Sequence, residues 1–144
     1  MDPTPPSATD RYWFARLNAS YAAGYSKAEQ QAAIAYFQGK PILPAYLLQP
    51  ELHFGREAFS KAVWENHLRA LHPWLATPEV TSDFIQHLDD PNWPGFRFAW
   101  EALVNLGRPV ILLLDEFIDS TCHDYHQKRV WEELKNTLLK SPKN

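Results

Sequence analysis

Apolar residues recur along most of this chain at the three- and four-residue spacing of an amphipathic helix's inner face. Trp13, Leu17 and Tyr21 fall at i, i+4 and i+8 in a first helix that Asp10 can cap and that runs to Ala23, with Gly24 as its stop. Ser26-x-x-Glu29 is a capping box that opens a second helix, with Ala33, Ile34 and Phe37 on one face and Gly39 at its end. Pro41, Pro44 and Pro50 then confine the apolar piece Ile42 to Leu48 to at most a turn or two of helix. A third helix is predicted from Arg56. Its stripe is Phe59, Val63, Leu68 and Leu71, with Trp64 beside it, and it stops before Pro73.

The second half has sharper punctuation. Thr77-Pro78-Glu79 reads as an N-cap, a proline at the first helical position and an acid favourable to the helix dipole. Val80, Phe84, Ile85 and Leu88 give that helix its inner face. Asp89-Asp90-Pro91-Asn92-Trp93-Pro94-Gly95 breaks it, and Pro94 is expected to restart the next. There Phe96, Ala99, Trp100, Leu103 and Leu106 line one side as far as Gly107. Val110 to Ile118 is apolar nearly all round, so periodicity allows a strand or a buried helix. No second strand-like segment stands near it, and a lone strand has unmet backbone groups, so a helix is predicted. A last helix carries Val130, Trp131, Leu134 and Leu138, with Lys135 and Lys140 near its C-terminal end. The expected fold is all-α, with about six to seven helices in antiparallel pairs stacked as a short bundle. Residues 1–9 read as a disordered tail and 10–140 as a single domain, with N-terminal helices over 10–72 and helix pairs over 77–140.

One pattern repeats. Trp-Glu-x-Leu-x-Asn occurs at 100–105 and again at 131–136, and Trp64-Glu65 with Leu68 is a looser echo. The two copies are 31 residues apart, a period that usually marks stacked supersecondary units. The helix pairs, the Leu88-to-Gly95 turn with its Asp-x-x-Asn-Trp-Pro core, and a Trp-containing last helix after an acidic turn resemble a small, poorly characterised bacterial family of HEAT-like proteins. The resemblance covers about residues 79–140 and implies helix pairs that hold a protein partner. The period is shorter than that of long HEAT arrays, and the N-terminal half does not fall into register.

Charge changes the picture in the same region. Glu79, Asp83, Asp89, Asp90, Glu101, Asp115, Glu116, Asp119 and Asp124 face only Arg97 and Arg108, a local net of −7 in a chain whose total is −3. A field of this sign repels phosphate backbones and attracts a basic protein, so nucleic acid is not an expected partner. The competing reading is that these acids only solvate exposed faces. Aromatics make up 14% of the chain, six of them Trp, more than a core of this size need bury, which allows some to be interface anchors. The single cysteine, Cys122, excludes an internal disulfide and fits a reducing compartment. The first ten residues have the pattern of neither a signal peptide nor a presequence, and no run is long enough to span a bilayer. A cytoplasmic location and no membrane partner are expected.

Candidate chemistry is sparse. Cys122, His123, Asp124 and His126 form the densest group of potential ligands, and Asp119 could add an oxygen, but a complete zinc site needs more. Cys122 carries no nucleophile motif, and no phosphate loop or hydrolase signature is present. Asp115 and Asp119, at i and i+4 near a helix C-terminus, oppose the helix dipole, which points to an acidic hook for a cationic partner. Trp93 is read either as a hydrophobic staple or as an aromatic anchor beside Asp89 and Asp90. No cofactor is expected. The reading is a non-enzymatic protein-binding module, in its most concrete form a bacterial immunity protein that binds and neutralises a cognate toxin. Its contact set is Asp89, Asp90, Trp93, Asp115, Glu116, Asp119 and Asp124. The partner is expected to be basic at its contact surface, and the chain itself a monomer or weak homodimer. The alternative is a small metal-dependent hydrolase built on Asp119, His123 and His126.

Overall fold

A computed structural model describes residues 3–18, 26–48, 61–88, 90–120 and 125–140. These form seven α-helices and two turns of 3-10 helix, with no strand among the described residues. They divide into two compact units, Met1–Trp74 and Leu75–Asn144.

The first unit holds α1 (Ala8–Leu17), α2 (Lys27–Gln38) and α3 (Lys61–Leu71), with 3-10 turns at Ala45–Leu47 and His72–Trp74. Helix α2 packs on both α1 and α3, and α1 also touches α3. Ser7, not Asp10, caps α1. The Asp10 N–H donates to Ser7 Oγ at 3.1 Å and the Ser7 N–H to Asp10 Oδ2 at 3.1 Å, which places Asp10 at the third position of a capping box. The helix therefore starts earlier than predicted and ends at Leu17, with Asn18 as its C-cap. The predicted box on α2 is present, with Glu29 N–H on Ser26 Oγ at 3.1 Å, and the helix stops at Gly39. Leu17, Ala33, Phe37, Leu47, Val63, Trp64, Leu68 and Leu71 are buried. Around them Phe14 meets Tyr46, His67 and Phe37 edge-on at 5.5, 5.7 and 6.3 Å between ring centroids. Buried His67 bonds Leu47 O at 3.2 Å and the Asn18 side chain, fastening α3 to the 3-10 turn and to the end of α1. Tyr21, Ala23, Gly24, Pro50, Arg56 and Phe59 lie outside the described residues.

The second unit holds α4 (Pro78–His87), α5 (Phe96–Leu106), α6 (Pro109–Asp119) and α7 (Tyr125–Lys140). Helix α4 packs on α5 and α6 on α7; α4 also packs on α6, and α5 on both α6 and α7. Two consecutive pairs laid side by side make those contacts. The ambiguous segment is helical, with Val110 and Leu114 fully buried. The repeated hexapeptide lands on α5 and α7, the second member of each pair. Leu103 and Leu134 are fully buried in both copies, and Trp131 donates Nε1–H to Ile85 O at 3.0 Å. Trp100 is half-buried and stacks on Phe96, one turn earlier, at 6.0 Å.

Candidate functional site

The turn between α4 and α5 is built from its own polar groups. Asp90 accepts the Asn92 N–H on Oδ1 at 2.9 Å and the Trp93 N–H on its backbone oxygen at 2.9 Å, a side-chain turn nested on a backbone turn. Pro94 does not restart the helix, as the sequence suggested. Gly95 does so from a left-handed conformation, φ 83°, which carries the chain into Phe96. The Pro94 carbonyl is instead held by His87 Nε2 at 2.6 Å; a carbonyl only accepts, so that nitrogen bears the proton. Trp93 is half-buried, and its ring meets His87 edge-on at 6.2 Å. With Gly95 as N-cap, Trp93 stands two residues before the cap rather than one. Its ring contact with His87 is to the preceding helix.

Asp90, Pro91 and Trp93 form one wall of a cleft of about 530 Å³. The other wall is one face of α7, with His126, Arg129, Val130 and Glu133 at i, i+3, i+4 and i+7. The Arg129 guanidinium lies 5.9 Å from the Tyr125 ring centroid, within reach of a cation–π contact. The cleft is thus lined by an indole, the side chains of Asp90 and Glu133, an imidazole and a guanidinium. Such a lining holds a polar or cationic side chain through charge and ring contacts. The sequence singled out Asp90, Trp93 and His126, but not Arg129 or Glu133. Their only signal is the helical spacing to His126, which has no meaning until α7 is known to face the turn.

The α6 acids do not act as one set. Asp115 Oδ1 is 2.6 Å from Lys135 Nζ, an ion pair from α6 to α7. The hydrogen bond to Asp115 raises the Lys135 pKa, and the Asp119 charge adds to it. Asp115 is therefore committed within the unit, and only Glu116 and Asp119 stand exposed. Asp89 and Asp124 lie outside the described residues, as do Cys122 and His123. Among the described residues, no group of three His, Cys, Asp or Glu is placed to hold a metal ion. Nor is any helix among them long and apolar enough to cross a membrane.

The first unit carries a charged cluster that the sequence did not announce. Asp10 Oδ1 accepts from Tyr36 Oη at 2.5 Å and from Lys40 Nζ at 2.6 Å. Burial pushes the Asp10 carboxyl up, but the hydrogen bonds from Lys40, Tyr36 and the Ser7 N–H outweigh it. They hold the carboxyl well below the usual carboxylate range. The same bond to Asp10 raises both Tyr36 and Lys40. The trio is a clasp between two helices. It ties the start of α1 to the end of α2. The one signal, Tyr36 and Lys40 four apart, is interrupted by the Gly39 cap. The chain matches no family model, no curated protein and no solved structure.

Proposed function

We propose that the chain is a non-enzymatic protein-binding module whose second unit receives a partner at the Trp93 cleft, and whose most concrete form is an immunity protein that neutralises a cognate toxin. The observation that carries the reading is an open cleft lined by the half-buried indole of Trp93 together with Asp90 and Glu133. An aromatic side chain rimmed by charge is the composition of an interface hot spot. The carboxylates select for a partner that brings a lysine or arginine to the ring. Asp119 is exposed at the end of α6, whereas Asp115 is bound to Lys135. The acidic stretch of the second half supports a partner of basic contact surface.

Co-expression with the product of the adjacent reading frame, followed by affinity capture and a growth assay, tests the reading. A stable complex and protection from toxicity are expected, with both lost or weakened in Trp93→Ala and Glu133→Gln. A chain that captures nothing and protects nothing overturns the toxin-neutralising form. Capture that both substitutions leave unchanged overturns the assignment of the cleft.

A further inference from the structure

We propose that the outer face of α6 is a self-association surface, on which two copies of this chain meet as an antiparallel, two-fold helix pair centred on Leu112. The inference goes beyond the partner-binding reading and does not depend on it. Arg108, Leu112 and Glu116 fall at i, i+4 and i+8, and all three are exposed. Leu112, at 75%, is the most exposed large hydrophobic residue among those described. Arg108 caps α6 with helical dihedral angles, φ −59° and ψ −27°, so its side chain continues the row. Residues four apart stand one above the other on a helix surface. The row therefore reads cation, apolar, anion.

The neighbouring helix enlarges the apolar part. Asp115 is bound to Lys135, which fixes the level of α7 against α6. Leu112 stands one turn before Asp115, and Leu139 stands one turn beyond Lys135 and is 52% exposed. In an antiparallel pair those two steps run toward the same end. The two leucines thus lie at about the same level on adjacent helices, both exposed.

The order of charges selects the occupant. A foreign acidic helix would satisfy only Arg108, and a foreign basic one only Glu116. A second α6 laid antiparallel across Leu112 satisfies both. Each Glu116 then faces Arg108 of the second copy, about 6 Å along the axis on either side of the Leu112 contact, at 1.5 Å rise per residue. Parallel packing would put like charges opposite each other. The arrangement is isologous, as a closed dimer requires. One helix face with a flanking leucine is smaller than a standard stable interface, so the dimer is weak and forms at high concentration.

Sedimentation of the purified protein across a concentration series into the high micromolar range reads the mass. The wild type shifts from monomer to dimer. Arg108→Glu and Glu116→Arg each raise the dissociation constant by roughly tenfold or more, as like charges come to face each other at both ends. An equimolar mixture of those two variants forms a heterodimer, because one row then carries only acids and the other only bases. The double variant R108E/E116R self-associates like the wild type, and Leu112→Asp stays monomeric. Far-UV melting curves confirm that each exposed substitution leaves the fold intact. A wild type that remains monomeric throughout overturns the proposal. So do single reversals with wild-type mass, or a mixture no heavier than its components.

Discussion

Asp10 shows how much one residue's role depends on neighbours that its local sequence does not reveal. Read alone it is a helix cap; in the fold it is the third residue of a Ser7 capping box and the acceptor for Tyr36 and Lys40. Its folded pKa is depressed, so its contribution to stability is complete above the unfolded value of about 3.9 and is lost as pH falls below it toward the folded value. Asp10→Asn is expected to cost about 1–3 kcal/mol at neutral pH, the penalty for leaving Lys40 and Tyr36 without their ionised acceptor. Melting temperatures measured down to about pH 3 should fall more steeply for the wild type than for the variant. Parallel pH profiles would assign the acid sensitivity to other carboxylates. Trp93 makes the complementary case, because its two readings separate by experiment. Trp93→Ala acting as an anchor speeds dissociation of the partner, with a cost of about 2 kcal/mol or more and little change in melting temperature. If its packing on His87 is all that matters, the melting temperature falls and the complex dissociates at the wild-type rate.

Among the elements, the repeat is the part of the fold most legible from residues. Trp-Glu-x-Leu-x-Asn marks the second helix of each pair, and its leucine is fully buried in both copies, Leu103 and Leu134, although its tryptophan is buried only in the second. Leu103→Ala and Leu134→Ala are accordingly expected to destabilise the second unit by similar amounts, about 2–5 kcal/mol each, in urea unfolding. A large difference between them would mean that the two pairs pack differently beneath the shared pattern. Hydrogen-bond accounting makes the run at Val110 a helix, since no strand partner stands near it in the sequence, and α6 bears that out. The turn was less legible. Proline at the first helical position is a sound rule at Pro78 and Pro109, yet at Pro94 the left-handed Gly95 one residue later sets the start. Gly95→Ala should cost about 1–2 kcal/mol for that conformation, and it should disturb the Trp93 wall of the cleft first. The cleft's far wall was illegible for a different reason. His126, Arg129, Val130 and Glu133 share a face at any helix's spacing, and only tertiary packing decides what that face meets.

For the molecule as a whole, net charge conceals its distribution. The total is −3, but the stretch from Glu79 to Asp124 stands at −7 against the Lys-rich end of the chain. Lys135 of that end is already bound to Asp115, which removes one carboxylate from the outward field and leaves Glu116 and Asp119 as the exposed acids of α6. A basic partner steered by this field should associate more slowly as salt rises, since the Debye length shrinks to about 8 Å at physiological ionic strength. The triple substitution Asp115→Asn, Glu116→Gln and Asp119→Asn should slow association and leave helix content unchanged. Most of that effect should persist in the double Glu116→Gln/Asp119→Asn variant, because Asp115 is screened by the ammonium it holds. Stopped-flow mixing at nanomolar concentration keeps any weak self-association dissociated, so Glu116 then reports on the partner alone. An association rate indifferent both to salt and to these substitutions would mean that the acids only solvate the helix surface. Recognition would then rest on Trp93 and the cleft around it.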